Sequence, residues 1–317
     1  MSLNTNMADR TVPPQGLAAP PSAAAGELET VLAVVVTYNP GPDLAENLVA
    51  LRGQVRTVVV IDNRSDDAAA IEVQALAAGC RFVANPANLG VAAALSQGAR
   101  LALAEGFEWL ATFDQDSLIG PAAIAGLLAV HADHPRRDRV AIIAMSHRDR
   151  ATGRDYHHPE DIIETTPLWR SVRATITSGS LVRAAVLEEV GAFDDRLFID
   201  SVDHEFCLRC RSRGWLVIEG REQLMEHSIG AVTEHDFLGR RIACTNHSPL
   251  RRYYITRNTL EIVRRHLLTD PVWTLCQLYY LLAGNILILI FEDRPAAKAR
   301  AMTRGGVDFL RRRFGPR

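Results

Sequence analysis

The chain is 317 residues long, 48% hydrophobic and 23% charged, with a formal net charge of −2. That balance describes a globular protein with a sizeable core, in one large domain or two modest ones. It excludes the global basic field that binds nucleic acid.

Five cysteines, an odd number scattered without framework spacing, exclude a disulfide scaffold and favour a reducing cytoplasm. Residues 1–28 are rich in Ala, Pro, Ser and Asn without periodicity, so a disordered tail is expected there. No basic segment followed by an apolar one marks a signal peptide. The first ordered element is a β-branched run, Val31–Val36, ending in Thr37-Tyr38-Asn39-Pro40. A continuously apolar strand of this type belongs in a parallel sheet covered on both faces. A helix is predicted over Asp43–Gly53, then a strand over Thr57–Ile61 ending in Asp62-Asn63. A helix over Ala68–Ala78 and a short strand over Arg81–Ala84 continue the alternation. Asn88-Leu89-Gly90 opens an alanine-rich helix, Val91–Glu105, and the strand Trp109–Phe113 runs into Asp114-Gln115-Asp116-Ser117. The order of elements predicts an α/β fold with a doubly wound parallel sheet.

In such sheets ligands bind outside the carboxyl ends of the strands. Three of those ends carry polar groups here: Thr37 and Asn39, Asp62 and Asn63, Asp114 and Asp116. Alternate side chains of an extended chain point the same way, so Asp114 and Asp116 are expected to face one cation. A hard divalent ion takes oxygen ligands and leaves room for phosphate oxygens, which suits a diphosphate leaving group. No two glycines are spaced as G-x-G, so neither the dinucleotide fingerprint nor a P-loop is present. A nucleotide here must be held by carboxylates and metal.

After the run Val140–Met145, the polar stretch His147–Pro167, with His157-His158, reads as a mobile surface loop in preference to a metal site. Thr177-Ser178-Gly179-Ser180 precedes a helix near Arg183–Val190. The window Gly191–Glu205 contains Asp194, Asp195, Asp200, Asp203 and Glu205, and leads into the amphipathic Phe206–Arg213 and a strand at Trp215–Glu219. Cys207 and Cys210 form a C-x-x-C without a second pair to complete a zinc site, and read as neighbours on one helix face.

VVVTYNP (34–40), VVVIDNRS (58–65), NLGVAAALSQGA (88–99), FDQDS (113–117), TSGSLV (177–182), GAFDDRLFIDSVDHEFCLR (191–209) and HSIG (227–230) occur in this order. Over roughly 31–230 the chain thereby resembles the family-2 glycosyltransferases, most closely bacterial rhamnosyltransferases, and the LFIDSVDHEFCLR stretch is the rhamnosyltransferase-like part. The resemblance implies a GT-A nucleotide-diphospho-sugar transferase fold, a Rossmann-like mixed sheet, over 29–247. It implies that Thr37, Asn39, Asp62 and Asn63 hold the base and ribose of the donor, with Asn88 in the next donor-contacting loop. Asp114 and Asp116 match the metal-binding D-x-D, with Gln115 between them on the donor side. The implied ion is Mg2+ or Mn2+, and His227 matches a histidine that completes the metal shell in some members. Asp203 matches the catalytic base. The acidic motif departs from the commoner Glu-Asp form by having Val202 before Asp203, with Asp200 and Glu205 as the acids that stand in for the missing Glu; the base is one of these three.

The expected activity is inverting, metal-dependent transfer of a sugar, L-rhamnose from dTDP-L-rhamnose, onto a glycan or lipid-linked acceptor. The alternatives are another UDP- or GDP-sugar, or a non-catalytic nucleotide-sugar-binding membrane partner. A nucleotidyltransferase would need a glycine-rich loop with a basic residue after the first strand, which VVTYNPGPD does not offer.

From Ser248 the pattern becomes that of a C-terminal helical extension, 248–317. Pro249–Leu268 carries Arg251, Arg252, Arg264 and Arg265 around Tyr253-Tyr254 and Arg257-Asn258. The phrase RRYYITRN recurs in the rhamnosyltransferase-like relatives, near the acceptor side. Val272–Phe291 follows the start signal Asp270-Pro271 and has no charge, long enough to span a bilayer. Gln277, Gly284 and Asn285 interrupt it, so a helix lying in the membrane interface or packed in a homodimer contact is expected. Residues 292–317 hold eight basic side chains against three acids, an excess suited to an anionic cytoplasmic leaflet. Together these features predict a cytoplasmic protein peripherally associated with the inner membrane.

Overall fold

The computed structural model describes residues 26–149, 159–227, 233–237 and 240–317. Residues 1–25 of the expected tail, His157-His158 and the Ser228–Gly230 part of HSIG lie outside the described residues.

Strand β1 (Val31–Thr37) is buried at every residue and lies between β2 (Thr57–Asp62) and β4 (Trp109–Asp114), parallel to both. β3 (Arg81–Ala84) adds to the outer side of β2. Leu32, Val34 and Val36 enter one core layer, and Val31, Ala33 and Val35 the other. Burial on both faces is why this strand is an unbroken apolar run and not an alternating one. Helices α1 (Leu44–Arg52), α2 (Ala68–Ala77) and α4 (Ala123–Asp133) cover the layer of Val31. Helices α3 (Val91–Ala104), α5 (Ala184–Val190) and α6 (Val202–Ser212) cover the layer of Leu32.

The sheet is mixed. β9 (Ser180–Arg183) lies antiparallel between β4 and β6 (Val140–Asp149), and β10 (Leu216–His227) resumes the parallel direction beside β6. β8 (Trp169–Val172) and β7 (Ile162–Thr165) finish that edge antiparallel. The order is β3-β2-β1-β4-β9-β6-β10-β8-β7, with β5 (Leu118–Ile119) paired to β10. The parallel expectation therefore holds for the N-terminal half and gives way to the Rossmann-like mixed sheet in the rest. Four residues of SLVR carry no pattern that sets a strand's direction.

Part of the stretch expected to be a loop is strand. β6 continues through His147 to Asp149 beside β10, and β7 follows. His147 is buried with its ring Nε2 2.9 Å from the Ser178 carbonyl oxygen. Neighbouring strands satisfy the backbone there, a long-range effect that a polar local sequence does not advertise. β10 is likewise longer than Trp215–Glu219, with an irregularity between Gly220 and Leu224.

Three helices complete the chain: α7 (Pro249–His266), α8 (Pro271–Phe291) and α9 (Pro295–Leu310). Ser248 and Asp270 cap the first two by accepting the Arg251 and Trp273 N–H groups, and each helix begins with proline. The basic end of the chain is thus largely helix, packed on α7: the Tyr253 hydroxyl donates to Asp308 Oδ2 at 2.9 Å. Lys298, fully buried, sits between Glu292 (2.9 Å) and Asp293 (2.6 Å), and Glu292 also takes Arg252 at 2.6 Å. Arg294, Arg312 and Arg317 pair with Asp293, Glu261 and Asp308. Part of the apparent charge excess is therefore neutralised at home, as buried charge requires, leaving Arg300, Arg304, Arg311 and Arg313 exposed.

Candidate active site

The carboxyl ends of β1, β2 and β4 lie side by side, Thr37 in register with Asp62 and Val36 with Asp114. Over them opens a cleft of about 930 Å³. Thr37, Asn63, Asn88, Asp114, Gln115, Asp116 and Asp203 all line it, whereas Asn39 and Asp62 do not. Those two act as struts between loops. Asp62 is buried, its Oδ1 accepting from Thr37 Oγ1 (2.9 Å) and Ser65 Oγ (2.5 Å), its Oδ2 from the Ser65 N–H (2.8 Å). Asn39 donates its N–H to Ser65 Oγ and accepts from the Asp66 N–H, both at 2.8 Å. Asn63 extends the brace: its Nδ2 donates to the Gly90 carbonyl (3.1 Å) and its Oδ1 accepts from Asn85 Nδ2 (2.9 Å).

β4 ends at Asp114, and Gln115 and Asp116 form a tight turn closed by the Ser117 N–H on the Asp114 carbonyl at 3.2 Å. The two carboxylates thus reach one cleft through a turn and not through strand alternation, which corrects the period-two expectation. Asp114 is half-buried and Asp116 exposed. Gln115 locks the turn to the β1 loop, its Oε1 accepting from the Tyr38 N–H (2.8 Å) and its carbonyl from Asn47 Nδ2 (3.1 Å). The TSGS segment straps the other side. Gly179, with φ +72°, makes a turn closed by the Ser180 N–H on the Thr177 carbonyl (3.2 Å), and Ser178 Oγ accepts from the Asp114 N–H (3.0 Å).

Two carboxylates beside open space fit a hard divalent ion that completes its shell with ligand phosphate and water. No group of three or more His, Cys, Asp or Glu forms a closed cage among the described residues. His227 ends β10 opposite Asp149, and its side chain lies outside the described residues. Cys207 and Cys210 are buried; burial pushes the Cys210 thiol up to about 12 and Cys207 well above its ordinary value, so neither offers a thiolate.

The segment Leu197–Ser201 and the start of α6 also reach the cleft, which residues 198–204 line. Phe198 has φ +67° and ψ −66°, and the Ile199 N–H donates to the Leu197 carbonyl at 2.8 Å, a γ-turn of the rare, strained hand. Asp200 (φ +64°) and Ser201 (φ +63°) are also left-handed. Non-glycine residues held this way cost about 1–3 kcal/mol each and persist only where their surroundings impose them. Asp203 follows in the first turn of α6. Of the three acids open for the role of base, Glu205 is buried in ion pairs with Arg209 and Arg265, each at 3.0 Å. Asp200 borders the cleft, but its Oδ1 accepts from Arg251 Nε (3.0 Å), its Oδ2 is shielded without a partner, and burial pushes its carboxyl up. Asp203 is half-buried on the cleft wall, with the His204 N–H donating to its Oδ1 at 2.8 Å.

The cleft also gathers residues that the sequence does not single out as site residues: Tyr38 (49% exposed), Thr177, His204, His247 and, from α7 and α8, Arg251 and Gln277. RRYYITRN flags Arg251; nothing local flags His247, which burial and then Arg251 and Arg252 push down to about 4, leaving a neutral imidazole at neutral pH.

The description Glycosyl transferase family 2 matches residues 32–191. The dTDP-rhamnosyl transferase RfbF of Shigella flexneri is 36% identical over 255 residues, covering 74% of this chain and 80% of that protein. The galactofuranosyltransferase GlfT1 of Mycobacterium tuberculosis is 26% identical over 260 residues, covering 77% and 83%. Among solved structures, GalNAc-T7 with UDP, GalNAc and Mn2+ has a TM-score of 0.55 at 14% identity, over 89% of this chain and 56% of that one, a likeness of fold. The chain belongs to glycosyl transferase family 2: it is a glycosyltransferase of the GT-A fold that resembles the rhamnosyltransferases.

Proposed function

We propose that this enzyme transfers L-rhamnose from dTDP-L-rhamnose to a hydroxyl of a glycan acceptor, with inversion at the anomeric carbon. The donor reading is supported by the similarity to RfbF and by the LFIDSVDHEFCLR stretch. The mechanistic reading is carried by one observation: Asp114, Asp116 and Asp203 line the same cleft.

Thr37, Asn63 and Asn88 hold the nucleoside at the strand ends, braced from behind by Asp62 and Asn39. Asp114 and Asp116, with His227, would hold Mg2+ or Mn2+, which when bound would supply positive charge to offset that of the departing diphosphate. Asp203 takes the proton of the acceptor hydroxyl while that oxygen attacks the anomeric carbon from the face opposite the diphosphate. A single displacement of this kind needs no covalent enzyme intermediate and inverts the centre.

The test is a panel of nucleotide sugars scored for Mn2+-dependent release of the nucleoside diphosphate, with water as acceptor. Preference for dTDP-L-rhamnose, lost in Asp203→Asn, is the expected result. Preference for a UDP- or GDP-sugar would remove the rhamnosyl assignment and keep the mechanism. Turnover unchanged in Asp203→Asn would overturn the base, and no response to any donor would favour a non-catalytic partner.

The acceptor reading is a lipid-linked or cell-surface glycan met at the cytoplasmic face of the inner membrane, with α8 on the lipid surface. Gln277 of α8 lines the cleft, while Val272, Leu275, Tyr279, Leu282, Ile286 and Leu289 form an exposed apolar stripe on the same helix. The exposed Arg300, Arg304, Arg311 and Arg313 complement an anionic leaflet. Flotation with anionic but not neutral vesicles is expected. Dimeric sedimentation without vesicle binding would instead assign the stripe to a second copy, since its three-four spacing is that of a helix-pair seam.

A further inference from the structure

The segment 197–201 is strained yet carries the wall on which Asp203 stands, so something must impose its shape. Asn258, fully buried in α7, shares its two Nδ2 hydrogens among the carbonyls of Leu197 (3.0 Å), Ile199 (2.8 Å) and Asp200 (2.9 Å). Arg257, 1% exposed, donates Nη2 to the carbonyls of Arg196 (3.2 Å) and Leu197 (3.0 Å). Its Nε donates to Asn258 Oδ1 at 2.9 Å, which orients the amide. The guanidinium is itself held over the rings of Tyr253, Tyr254 and Phe314, and Nη1 donates to the Gly315 carbonyl at 2.9 Å. From the same helix, Arg251 holds the Asp200 carboxylate and Tyr254 stacks on Phe198 at 5.1 Å.

Two adjacent side chains of the C-terminal extension therefore hold the carbonyls of Arg196, Leu197, Ile199 and Asp200, while the Ala92 N–H takes that of Phe198. Left-handed backbone at three non-glycine positions has no local reason to form, because the residues themselves disfavour it. Rigid positioning of a proton acceptor matters because a displacement of about 1 Å can lower a rate by roughly 100-fold.

We propose that Arg257 and Asn258 are positioning residues for the acceptor-side carboxylate: they clamp 197–201 in the shape that presents Asp203 to the cleft. The inference rests on the reading of Asp203 as base. It also gives RN of RRYYITRN a role distinct from contact with the acceptor, since neither residue lines the cleft.

The experiment compares wild type, Asn258→Ala, Arg257→Lys and Asp203→Asn in the full chain, using dTDP-L-rhamnose with Mn2+. Asn258→Ala is expected to lower kcat for donor turnover by roughly 10- to 100-fold while donor Kd stays within about twofold. Arg257→Lys, which keeps the charge but cannot span two carbonyls, is expected likewise to lower kcat with donor Kd held, and is the second variant if Asn258→Ala folds poorly. Adding Ser201→Gly to Asn258→Ala is expected to recover part of kcat, because glycine accepts the left-handed conformation unaided; a merely structural role for Asn258 predicts no such rescue. Amide exchange should rise at 197–203 in both clamp variants, a readout that needs no turnover. Unchanged kcat and unchanged exchange in folded Asn258→Ala, with Asp203→Asn inactive, would overturn the clamp. Full turnover in Asp203→Asn would instead overturn the base assignment, leaving the exchange result to judge the clamp alone.

Discussion

A β-carbon added to Gly90 would lie 2.5 Å from both the carbonyl oxygen and a ring carbon of Phe198. Both residues line the cleft, and the Ala92 N–H donates to that same carbonyl at 3.2 Å. The loop after β3 and the segment that precedes Asp203 therefore meet backbone to backbone, so neither moves alone. Gly90 also has φ +86°. Gly90→Ala adds a steric overlap and a left-handed penalty, and should destabilise the fold by about 2–4 kcal/mol. Urea unfolding measures this; a change below about 0.5 kcal/mol would mean that the loops separate freely.

Asp203 and Glu205 stand two residues apart and should behave oppositely. Asp203→Asn is expected to leave stability within about 0.5 kcal/mol and to lower turnover by roughly 10²–10⁴-fold. Glu205→Gln leaves Arg209 and Arg265 short of a partner in a buried network, and should cost about 3 kcal/mol in thermal or urea unfolding. Equal loss of turnover in both variants at a temperature where both are folded would contradict this division.

Asp116, proposed as a metal ligand, is exposed and carries little of the fold. Asp116→Asn should unfold at the same midpoint as the parent, yet lose roughly tenfold or more of the Mn2+-dependent gain in dTDP affinity. Titration calorimetry with and without the ion reads the difference directly.

Acid should destabilise the protein in two stages. His247 is pushed from 6.5 down to about 4 by burial and then by Arg251 and Arg252, so it stays neutral in the fold while the unfolded chain protonates below 6.5. Proton uptake by the unfolded state favours unfolding as pH falls. Asp194 and Glu261 are each held at about 2: burial raises them, but hydrogen bonds from Arg196 and Arg265, and from Arg264 and Arg265, outweigh it. Their stabilisation is complete above the ordinary carboxylate values and is lost as pH falls towards 2. Burial also lowers His131, His134 and His266, so unfolding midpoints recorded from pH 7 downwards should show the first decline below 6.5, reduced in His247→Gln, and a second below 4.5.

Lys298 ties α9 to the turn before it through Glu292 and Asp293, with no exposed surface of its own. Lys298→Met should destabilise by about 3 kcal/mol, because the buried Glu292 keeps only Arg252 as a cationic partner, beside the Asn246 N–H. Recovery in the Lys298→Met, Glu292→Gln double variant would identify the lost charge partner, and not lost packing, as the cause.

Much of the N-terminal half can be read locally. Both-face burial writes β1 as VLAVVV, and strand-end polarity marks Thr37, Asn63 and Asp114 because open α/β sheets bind ligands there. The motifs also named the family. What escaped reading depends on partners far along the chain. The direction of β9, the strand character of His147–Asp149 and the true length of β10 are set by neighbouring strands that supply hydrogen bonds. Asp62 and Asn39 carry the polarity of a binding site, and the hydrogen bonds by which they brace the loops join them to residues distant in the chain.

By itself, then, the sequence determined the family, the parallel half of the sheet, the D-x-D and the candidate acids, since each is written in contiguous residues with a local physical reason. Only the tertiary structure gives Asp200, Asp203 and Glu205 different surroundings: Glu205 is buried between two arginines, Asp200 lines the cleft but is tied to Arg251, and Asp203 lines it half-buried. It also decided that the basic end is partly self-neutralised and that Arg257 and Asn258 face inward. Side-chain pairing across tens of residues depends on which surfaces the folded chain brings together, and no local pattern carries that information.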